Sequence, residues 1–490
     1  MANPHLVSAS GAPGAQPDPS PSGSGKVAPA ADLESAPGSI IHPTAQPFSE
    51  APIRRFADEP IRHFADEPIR RFADVRQRTH ALCAPLSPED CAAQSMPDAS
   101  PTKWHLAHTT WFFETFVLKE HLRSHTPYHP SFGFLFNSYY NGEGERHARP
   151  ARGVLTRPTF EEVLAYRAHV DEKMLELLDT HDASTRDEIL RVVEIGLHHE
   201  QQHQELILTD LKHLFAQNAL LPAYRPSLSP SRSSVDSLDW ISIEEGVRSI
   251  GHADHGFSFD NERPAHRVFL EGARIADRLV TNGEYRDFVA DGGYRRPELW
   301  LDVGWARVQS EGWEKPIYWR NGPGDFSEFT LAGERELCDA EPVSHVSFIE
   351  ADAFARWAGA RLPTETEWEV ACGSRPVQGN FVESGRLHPR VATDDERVSS
   401  TSPPDRTDGM RQLFGDLWEW TSSSYSAYPG YRPDTGSLGE YNGKFMCDQH
   451  VLRGGSCASP RSHLRSTYRN FFHAPDRWQF SGIRLAKEPA

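Results

Sequence analysis

The chain has 490 residues, with 51 basic and 69 acidic side chains and a net charge of −18. This length allows two or three domains, each with its own core, and the acidic balance argues against a surface that binds nucleic acid or an anionic membrane. Six cysteines are scattered without a CxxC pair, and no apolar run approaches the ~18–20 residues that cross a bilayer, so we expect reduced thiols and a soluble, cytoplasmic protein.

Residues 1–73 are predicted to form a disordered, low-complexity tail. The first part is rich in Ala, Pro, Gly and Ser, which offer too little apolar surface to offset chain entropy. It also lacks the basic and apolar segments of a secretory signal. An eight-residue repeat follows, with prolines at Pro52, Pro60 and Pro68 that limit any helix to about two turns. We interpret the repeat as part of the tail, with an interaction motif as the alternative.

The next region, residues 74–218, is predicted to be a four-helix bundle. Helical patterns occur near residues 74–84, 101–122, 159–180 and 187–216. The long connection between the second and third helices contains several prolines and glycines, and loops of that length are often functional. A linker rich in Pro and Ser, residues 219–236, separates the bundle from residues 237–490. The short strand-like runs, glycines and tryptophans of that last region predict an irregular α+β domain.

The most informative motif is HHEQQHQE, residues 198–205, in the last helix of the predicted bundle. His199 and His203 leave the same helix face one turn apart, a spacing at which two imidazoles can bind one metal ion. The chain has 24 histidines, so chance also produces such pairs, and the two are either ligands or hydrogen-bonded core residues. His108 could supply a third nitrogen, although spacing alone does not exclude His105.

The same residues satisfy the pattern HExxH, with Glu200 in the place of a general base. This pattern makes a zinc hydrolase the main alternative to other metal enzymes. The extended form of the motif is missing, because Leu206 and Thr209 stand where glycine and a third histidine are needed. A glutamate ligand further along the chain would still complete such a site, and a non-catalytic sensor or binding protein is a third possibility.

Longer motifs resemble one family. Residues 100–108, 137–141, 199–203 and 452–485 are similar, in this order, to the ergothioneine-biosynthesis sulfoxide synthases, which are non-haem iron enzymes. The resemblance covers about residues 75–488. It implies a multidomain α and α+β fold, in which a four-helix bundle of the damage-inducible type precedes a C-type-lectin-like domain similar to the formylglycine-generating enzyme.

The resemblance implies a cofactor and a reaction. Iron(II) would be held by His108, His199 and His203, and O₂ would be used to join a thiol to C2 of the imidazole of hercynine (trimethylated histidine), with the sulfur released as a sulfoxide. Three neutral imidazoles leave three open positions, enough for O₂, a thiolate and a substrate imidazole. The expected partners are these small molecules, with neither nucleic acid nor membrane. A selenoneine synthase on the same scaffold fits the sequence equally well.

The resemblance also implies further site residues. Tyr139 and Tyr140 match a pair that delivers a proton in one branch of the family and so disfavours oxidation of the thiol to a sulfinate. Gln202 and Asn470 would bind the substrate imidazole. The remaining candidates are Phe471, Phe472 and Trp418 for the quaternary ammonium, Arg149 before Arg469 and Arg477 for the carboxylate of the thiol, and Tyr428 or Tyr431 as the phenol of another branch.

Two departures from the family pattern bear on the thiol substrate and on the activity of the second domain. Phe471 and Phe472 stand where some members carry Trp-Asp, which favours cysteine over γ-glutamylcysteine as the thiol. Ser459 and Leu464 occupy the positions of the cysteine pair that a formylglycine-generating enzyme needs. The second domain is therefore not expected to have that activity, and Cys457 is expected to be a small buried residue.

Overall fold

The computed structural model describes residues 67–180, 183–226, 228, 234–253, 256–322, 325–393 and 409–489. The predicted tail up to residue 66, which holds the first copy of the repeat and all but the last residue of the second, lies outside this range, as do residues 227 and 229–233 of the linker. Within it, no helix is both long and apolar enough to cross a membrane.

The first part of the structure is helical. Four of its helices correspond to those predicted for the bundle. The helices are α1 (Glu67–Cys83), α2 (Pro88–Ala92), α3 (Thr102–Phe113), α4 (Lys119–His121), α5 (Phe132–Phe136), α6 (Phe160–Thr180) and α7 (Ala183–Ala216). A π-helical turn, Glu114–Leu118, joins α3 to α4, and the 3₁₀ helices Asn141–Glu143 and Arg149–Val154 lie in the long loop before α6.

Helix α1 begins at Glu67, so the predicted boundary between tail and bundle at residue 73 is too late. The third copy of the repeat forms the start of this helix, and its apolar residues Ile69 and Phe72, followed by Val75, are buried. Pro68 lies in the first turn, where a missing N–H breaks no helical hydrogen bond. The three apolar residues share one helix face, and packing of that face in the bundle stabilises a helix that the sequence of the copy alone would not.

Helices α3 and α7 form the centre of the bundle. All 12 residues of α3 are buried, so this helix has no exposed polar face. Helix α7 has 34 residues and is therefore ~51 Å long at 1.5 Å per residue. Its length allows it to contact α1 and α3 and also the second domain.

The second domain has helices α8 (Asn282–Ala290), α9 (Asp302–Glu311), α10 (Phe348–Trp357) and α11 (Glu365–Cys372). Its strands are β1 (Trp240–Ile243), β2 (Gly246–Ile250), β3 (His266–Leu270), β4 (Ala273–Ala276), β5 (Trp319–Asn321), β6 (Phe326–Thr330), β7 (Gly333–Glu336), β8 (Trp418–Ser424), β9 (Gln449–Arg453), β10 (Asn470–His473), β11 (Ser481–Gly482) and β12 (Ala486–Lys487).

These strands form small sheets with the orders β1-β4-β12, β10-β9-β8-β11, β2-β3 and β5-β6-β7. Three of the helices begin with the same capping box, in which a Ser or Thr accepts from the N–H of a glutamate three residues later and the glutamate accepts from the cap N–H. The caps are Thr281, Ser347 and Thr364. Short strands with locally capped helices give the irregular α+β character that the sequence predicts.

The second domain is bonded to α7 and to the linker. Gln201 of α7 donates to Ser462 at 2.7 Å, and Lys212 lies 2.7 Å from the ring of His345. Within the predicted linker, the hydroxyl of Tyr224 donates to the carbonyl of Leu82 at 2.7 Å, and its backbone N–H donates to the carbonyl of Leu331. These contacts place the second domain against the helix that carries the histidine motif.

Candidate metal centre

Three buried histidines converge between α3 and α7. One ring nitrogen of each of His108, His199 and His203 lies within 4.8 Å of the others. The Nε2 atoms of His108 and His199 are 3.1 Å apart. Two nitrogens that are each ~2.1 Å from one ion, at about a right angle to each other, lie about 3.0 Å apart. The observed spacing therefore fits three ligands of one metal ion.

In His108 and His203, a hydrogen bond at Nδ1 determines which ring nitrogen is unprotonated. His108 donates from Nδ1 to the carbonyl of Phe136 at 2.6 Å, which leaves Nε2 unprotonated. Asp210 accepts from Nε2 of His105 at 3.1 Å, so Nδ1 of His105 accepts from Nδ1 of His203 at 2.8 Å. His203 is thus also left with an unprotonated Nε2, the form in which imidazole binds metals.

The third ring, that of His199, has the environment of a neutral ligand. Burial and the neighbouring His105 lower its pKa to about 3, although Glu200 opposes the shift. Its Nδ1 is buried without a hydrogen-bond partner in the described part of the chain. A metal ion would bind the Nε2 lone pairs of His199 and His108, which face each other across 3.1 Å.

The hydrogen bonds that run from Asp210 through His105 to His203 give a first prediction. We expect Asp210→Asn to weaken metal binding by about 10-fold to 100-fold, because the neutral amide holds the ring of His105, and through it His203, less strongly. Competition with a chromophoric chelator measures the affinity. The exposed Asp187 of the same helix gives the matched control, Asp187→Asn, which should bind metal as the unchanged protein does. Equal affinity of the two variants would contradict the orienting role of Asp210.

Glu200, the expected general base of a zinc hydrolase, is bonded to α1 and α6. It is fully buried and accepts from Arg76 at 2.7 Å, from Thr79 at 2.5 Å and from Arg167. Burial disfavours its charged form, but Arg167 and Arg76 outweigh this effect and lower its pKa to about 2. A carboxylate so strongly paired is a poor proton acceptor.

The second domain contributes two tyrosines, Tyr441 and Tyr468, that contact His199 and Gln202 of α7. The ring of Tyr441 meets that of His199 edge-on, with centroids 5.6 Å apart. Its hydroxyl donates to Oε1 of Gln202, and Nε2 of Gln202 donates to the hydroxyl of Tyr468 at 2.7 Å. Gln202 is therefore held between two phenols, one of which touches a candidate ligand.

The loop that carries Tyr441 is fastened to the long loop of the bundle. Glu440 accepts from the backbone N–H groups of Asn141 at 3.0 Å and Gly142 at 2.8 Å. Lys444 donates to Glu440 at 2.8 Å and to the carbonyl of Tyr139. These bonds join the loop of Tyr441 to the loop that carries Tyr139.

Tyr139 and Tyr140 are linked to His108 through the ring of Trp111. Their rings stack with centroids 4.6 Å apart. Tyr140 also packs against Trp111 at 5.7 Å, and Trp111 stacks on His108 at 5.6 Å. The ring and hydroxyl of Tyr140 are buried. Burial, together with Tyr139 and Tyr441, raises its pKa well above the usual value, so the phenol keeps its proton.

Comparisons with known proteins give the family. Residues 71–207 match the model of the DinB superfamily, and residues 226–489 match that of the Sulfatase-modifying factor enzyme 1-like domain. The Hercynine oxygenase of Mycolicibacterium smegmatis is 35% identical over 412 residues, which are 80% of this chain and 92% of the relative. That of Mycobacterium tuberculosis is 35% identical over 415 residues, 81% and 93% of the two chains. The chain belongs to the hercynine oxygenase family.

This membership confirms the predicted fold class, family resemblance and enzyme class. The chain is an oxygenase, and hence an oxidoreductase. The Formylglycine-generating enzyme of Bos taurus is 25% identical over 287 residues, which are 51% of this chain and 73% of that protein. The name oxygenase and the buried histidine cluster together indicate a metal cofactor.

The predicted substrate-binding residues Asn470, Phe471 and Phe472 lie on strand β10 of the hercynine oxygenase fold. Phe471 stacks on Tyr425 at 4.1 Å and approaches Phe445 at 6.0 Å. The side chain of Asn470 accepts from the backbone N–H of Phe471 at 3.0 Å. Among the described residues, no hydrogen bond or ring contact joins these three side chains to the histidines, so their roles stay predictions.

Arg149, the residue predicted to bind the carboxylate of the thiol, differs in burial from Arg152, a second arginine on the same long loop. Arg149 is exposed, whereas Arg152 is 3% exposed. Arg152 lies 3.3 Å from the ring centroid of Trp104 and donates to Ser100 at 2.8 Å and to Ser138 at 3.2 Å. Burial and Arg149 lower its pKa to about 8. A buried cation whose hydrogen bonds go to neutral hydroxyls is suited to an anionic ligand.

The other candidates of the second domain are bonded to carboxylates. The partners are Glu365 for Arg469 at 2.9 Å and for Tyr428 at 3.3 Å, Glu350 for Arg477 at 3.0 Å, Asp260 for Tyr431 at 2.8 Å, and Glu205 for Trp418 at 2.8 Å. Arg469 and Arg477 are thus paired within the protein, and we no longer expect them to bind a substrate carboxylate. Cys457 is fully buried, as expected.

Three residues near the histidines were missed from the sequence: Asp210, Arg152 and Tyr441. Asp210 could have been found, because it lies seven residues after His203 and so on the same helix face. Arg152 lies one turn after Arg149, and the sequence alone gives no reason to prefer either. Tyr441 lies between 3₁₀ turns and carries no pattern that points to a metal site.

Proposed function

We propose that this protein catalyses the iron(II)- and O₂-dependent joining of a thiol to C2 of the imidazole of hercynine, with release of a sulfoxide, in ergothioneine biosynthesis. The observation that carries the proposal is the set of three buried imidazoles whose ring nitrogens lie within 4.8 Å of one another. The relatives named Hercynine oxygenase support the choice of substrate.

The proposed reaction is balanced by its substrates. One thiol, one imidazole C–H and one O₂ give the sulfoxide and one water, with a new C–S bond and the loss of the S–H and C–H hydrogens. A ferrous ion held by His108, His199 and His203 would supply the redox chemistry that activates O₂. Oxidation of the thiol to a sulfinate uses the same O₂ and competes with this reaction.

Residues of the chain would hold the two organic substrates. Gln202 lies one turn from His199 on α7 and can bind a substrate imidazole by a hydrogen bond. Arg152 offers a buried positive charge for the carboxylate of the thiol, which we propose in place of Arg149. The bonds of Glu440 and Lys444 hold the two loops together, so that water is excluded from the reacting groups.

Glu200 argues against the alternative of a zinc hydrolase. That reaction requires the carboxylate to take a proton from a metal-bound water. Here both carboxylate oxygens are bonded to donors from α1 and α6, and the pKa is about 2. The HExxH pattern is therefore explained by two metal ligands with a structural carboxylate between them.

The experiment is anaerobic loading with iron, followed by measurement of O₂ uptake with hercynine and either cysteine or γ-glutamylcysteine. We expect uptake to require both substrates, and a product whose mass is that of the sulfoxide. The departure at Phe471 and Phe472 favours cysteine. Stoichiometric zinc with peptide hydrolysis, and no O₂ uptake, would overturn the proposal.

A second prediction concerns the phenol that delivers the proton. We expect the double variant Tyr139→Phe, Tyr140→Phe to form sulfoxide about a hundredfold more slowly and to release mainly sulfinate, because the proton donor is lost. The ratio of the two products by mass spectrometry measures the effect. Tyr128→Phe, at an exposed tyrosine, is the control. An unaltered ratio in the double variant, with a shift in Tyr441→Phe, would assign the proton to the second domain.

A further inference from the structure

A chain of hydrogen bonds leads from the first helix to Gln202. A guanidinium nitrogen of Arg71 lies 2.8 Å from Nε2 of His198. Nδ1 of His198 lies 3.0 Å from Nδ1 of His463, and Nε2 of His463 lies 3.0 Å from the hydroxyl of Tyr468. That hydroxyl accepts from Gln202 at 2.7 Å. The chain thus joins α1, α7 and the second domain.

Arg71 fixes the direction of the hydrogens in this chain. A guanidinium can only donate, so Nε2 of His198 accepts and its ring hydrogen lies on Nδ1. Nδ1 of His463 accepts that hydrogen, and His463 therefore donates from Nε2 to Tyr468. The oxygen of Tyr468 receives hydrogens from both His463 and Gln202, and is held between them.

Beyond Arg71, the members of the chain are buried and closely packed. His198 is 2% exposed, His463 1% and Tyr468 5%. The ring of His198 stacks on Phe257, with centroids 4.0 Å apart and an angle of 7° between the planes. Buried polar groups that lose a partner cost free energy. Loss of one member therefore disturbs its neighbours, and the disturbance reaches Gln202.

We propose that Arg71, His198 and His463 are positioning residues that hold Gln202, through Tyr468, where it binds the imidazole of hercynine. This inference rests on the proposed function. The other end of the Gln202 amide accepts from Tyr441, whose ring touches His199, so the amide is held at one end by the chain from Arg71 and at the other by a residue beside a candidate ligand. The third copy of the repeat, which contains Arg71, thereby contributes to substrate binding.

The test compares variants that break the chain with variants that preserve it. We expect His463→Phe and Arg71→Met to raise the KM for hercynine about threefold to tenfold, the range of one hydrogen bond, with little change in kcat or in the KM for the thiol. His463→Gln should restore the KM, because its amide can both accept and donate. Arg70→Met removes the same charge from an exposed neighbour and should leave all constants unchanged.

Calorimetric titration of the iron-loaded protein with hercynine under nitrogen gives a second readout, and the dissociation constant should rise in the same two variants. Unchanged constants in both, or an equal rise for hercynine and thiol that His463→Gln does not reverse, would overturn the positioning role. If His463→Phe does not fold, the KM and the dissociation constant of Arg71→Met for hercynine decide the test. If the unaltered protein takes up no O₂ with hercynine and either thiol, the proposed function and this inference are overturned together. If it turns over normally and the variants have unchanged constants, the inference alone is overturned.

Discussion

His199→Ala is expected to abolish metal binding and O₂ consumption. Two imidazoles cannot hold an ion as three do, and even the loss of an outer partner costs about 10-fold to 100-fold in affinity; removal of a ligand should cost at least about a hundredfold. The fold should persist, because Nδ1 of His199 has no hydrogen-bond partner in the described part of the chain and its removal leaves no donor unpaired there. Metal content after dialysis, measured by atomic emission, is the direct readout.

The same helix provides a control for this variant. His213 is also a mostly buried histidine of α7, but its ring is bonded to Ser95 at 2.7 Å. His213→Ala should therefore retain the metal and the activity. Retention of stoichiometric metal by His199→Ala would contradict the three-histidine centre, and with it the proposed function.

The parts of the site that lie on one helix could be predicted from the sequence. The spacing of His199 and His203 is a local property, since any α-helix places residues four apart on one face. The third nitrogen required the family resemblance, because both His105 and His108 point toward α7 and the sequence does not say which is nearer. The structure gives them different environments: His105 is bonded to Asp210 and His203, and His108 faces His199.

The parts of the site that depend on contacts between domains could not be predicted. Tyr441 contacts His199 from a loop of the second domain that Glu440 and Lys444 bond to the bundle, and no local pattern encodes that contact. The start of α1 was missed for a related reason. A segment with a proline every eight residues is a poor helix alone, and only tertiary packing of Ile69 and Phe72 stabilises its third copy.

Glu200→Ala is expected to lower the free energy of unfolding by about 3–5 kcal/mol. The variant would leave Arg76 and Arg167, both about 4% exposed, as buried cations without their shared carboxylate, and breaking a buried ion pair by removal of one partner costs about this much. Asp171 still pairs with Arg76 at 2.7 Å, which places the effect on Arg76 toward the lower end. Urea denaturation, followed by circular dichroism, measures the change.

Glu194→Ala is the matched control for this carboxylate, because Glu194 lies on the same helix and is ion-paired with Arg71, but both side chains are partly exposed, at 38% and 28%. A pair of this kind contributes roughly 0–1 kcal/mol. Equal destabilisation by the two variants would contradict the buried network. A hydrolase base predicts the opposite pattern, in which Glu200→Ala loses activity but not stability.

The stabilising effect of Glu200 should also depend on pH. Its pKa in the folded protein is about 2, below the ordinary 4.5, so the unfolded chain binds this proton more readily than the folded one. The contribution is therefore complete above about pH 4.5 and is lost as the pH falls from there toward 2. The difference in unfolding free energy between the unchanged protein and Glu200→Ala should decrease over this interval, whereas the Glu194→Ala difference should change little. A Glu200 difference that stayed constant down to pH 2 would show that the fold does not lower the pKa of this carboxyl, and would contradict its charged pairing with the two arginines.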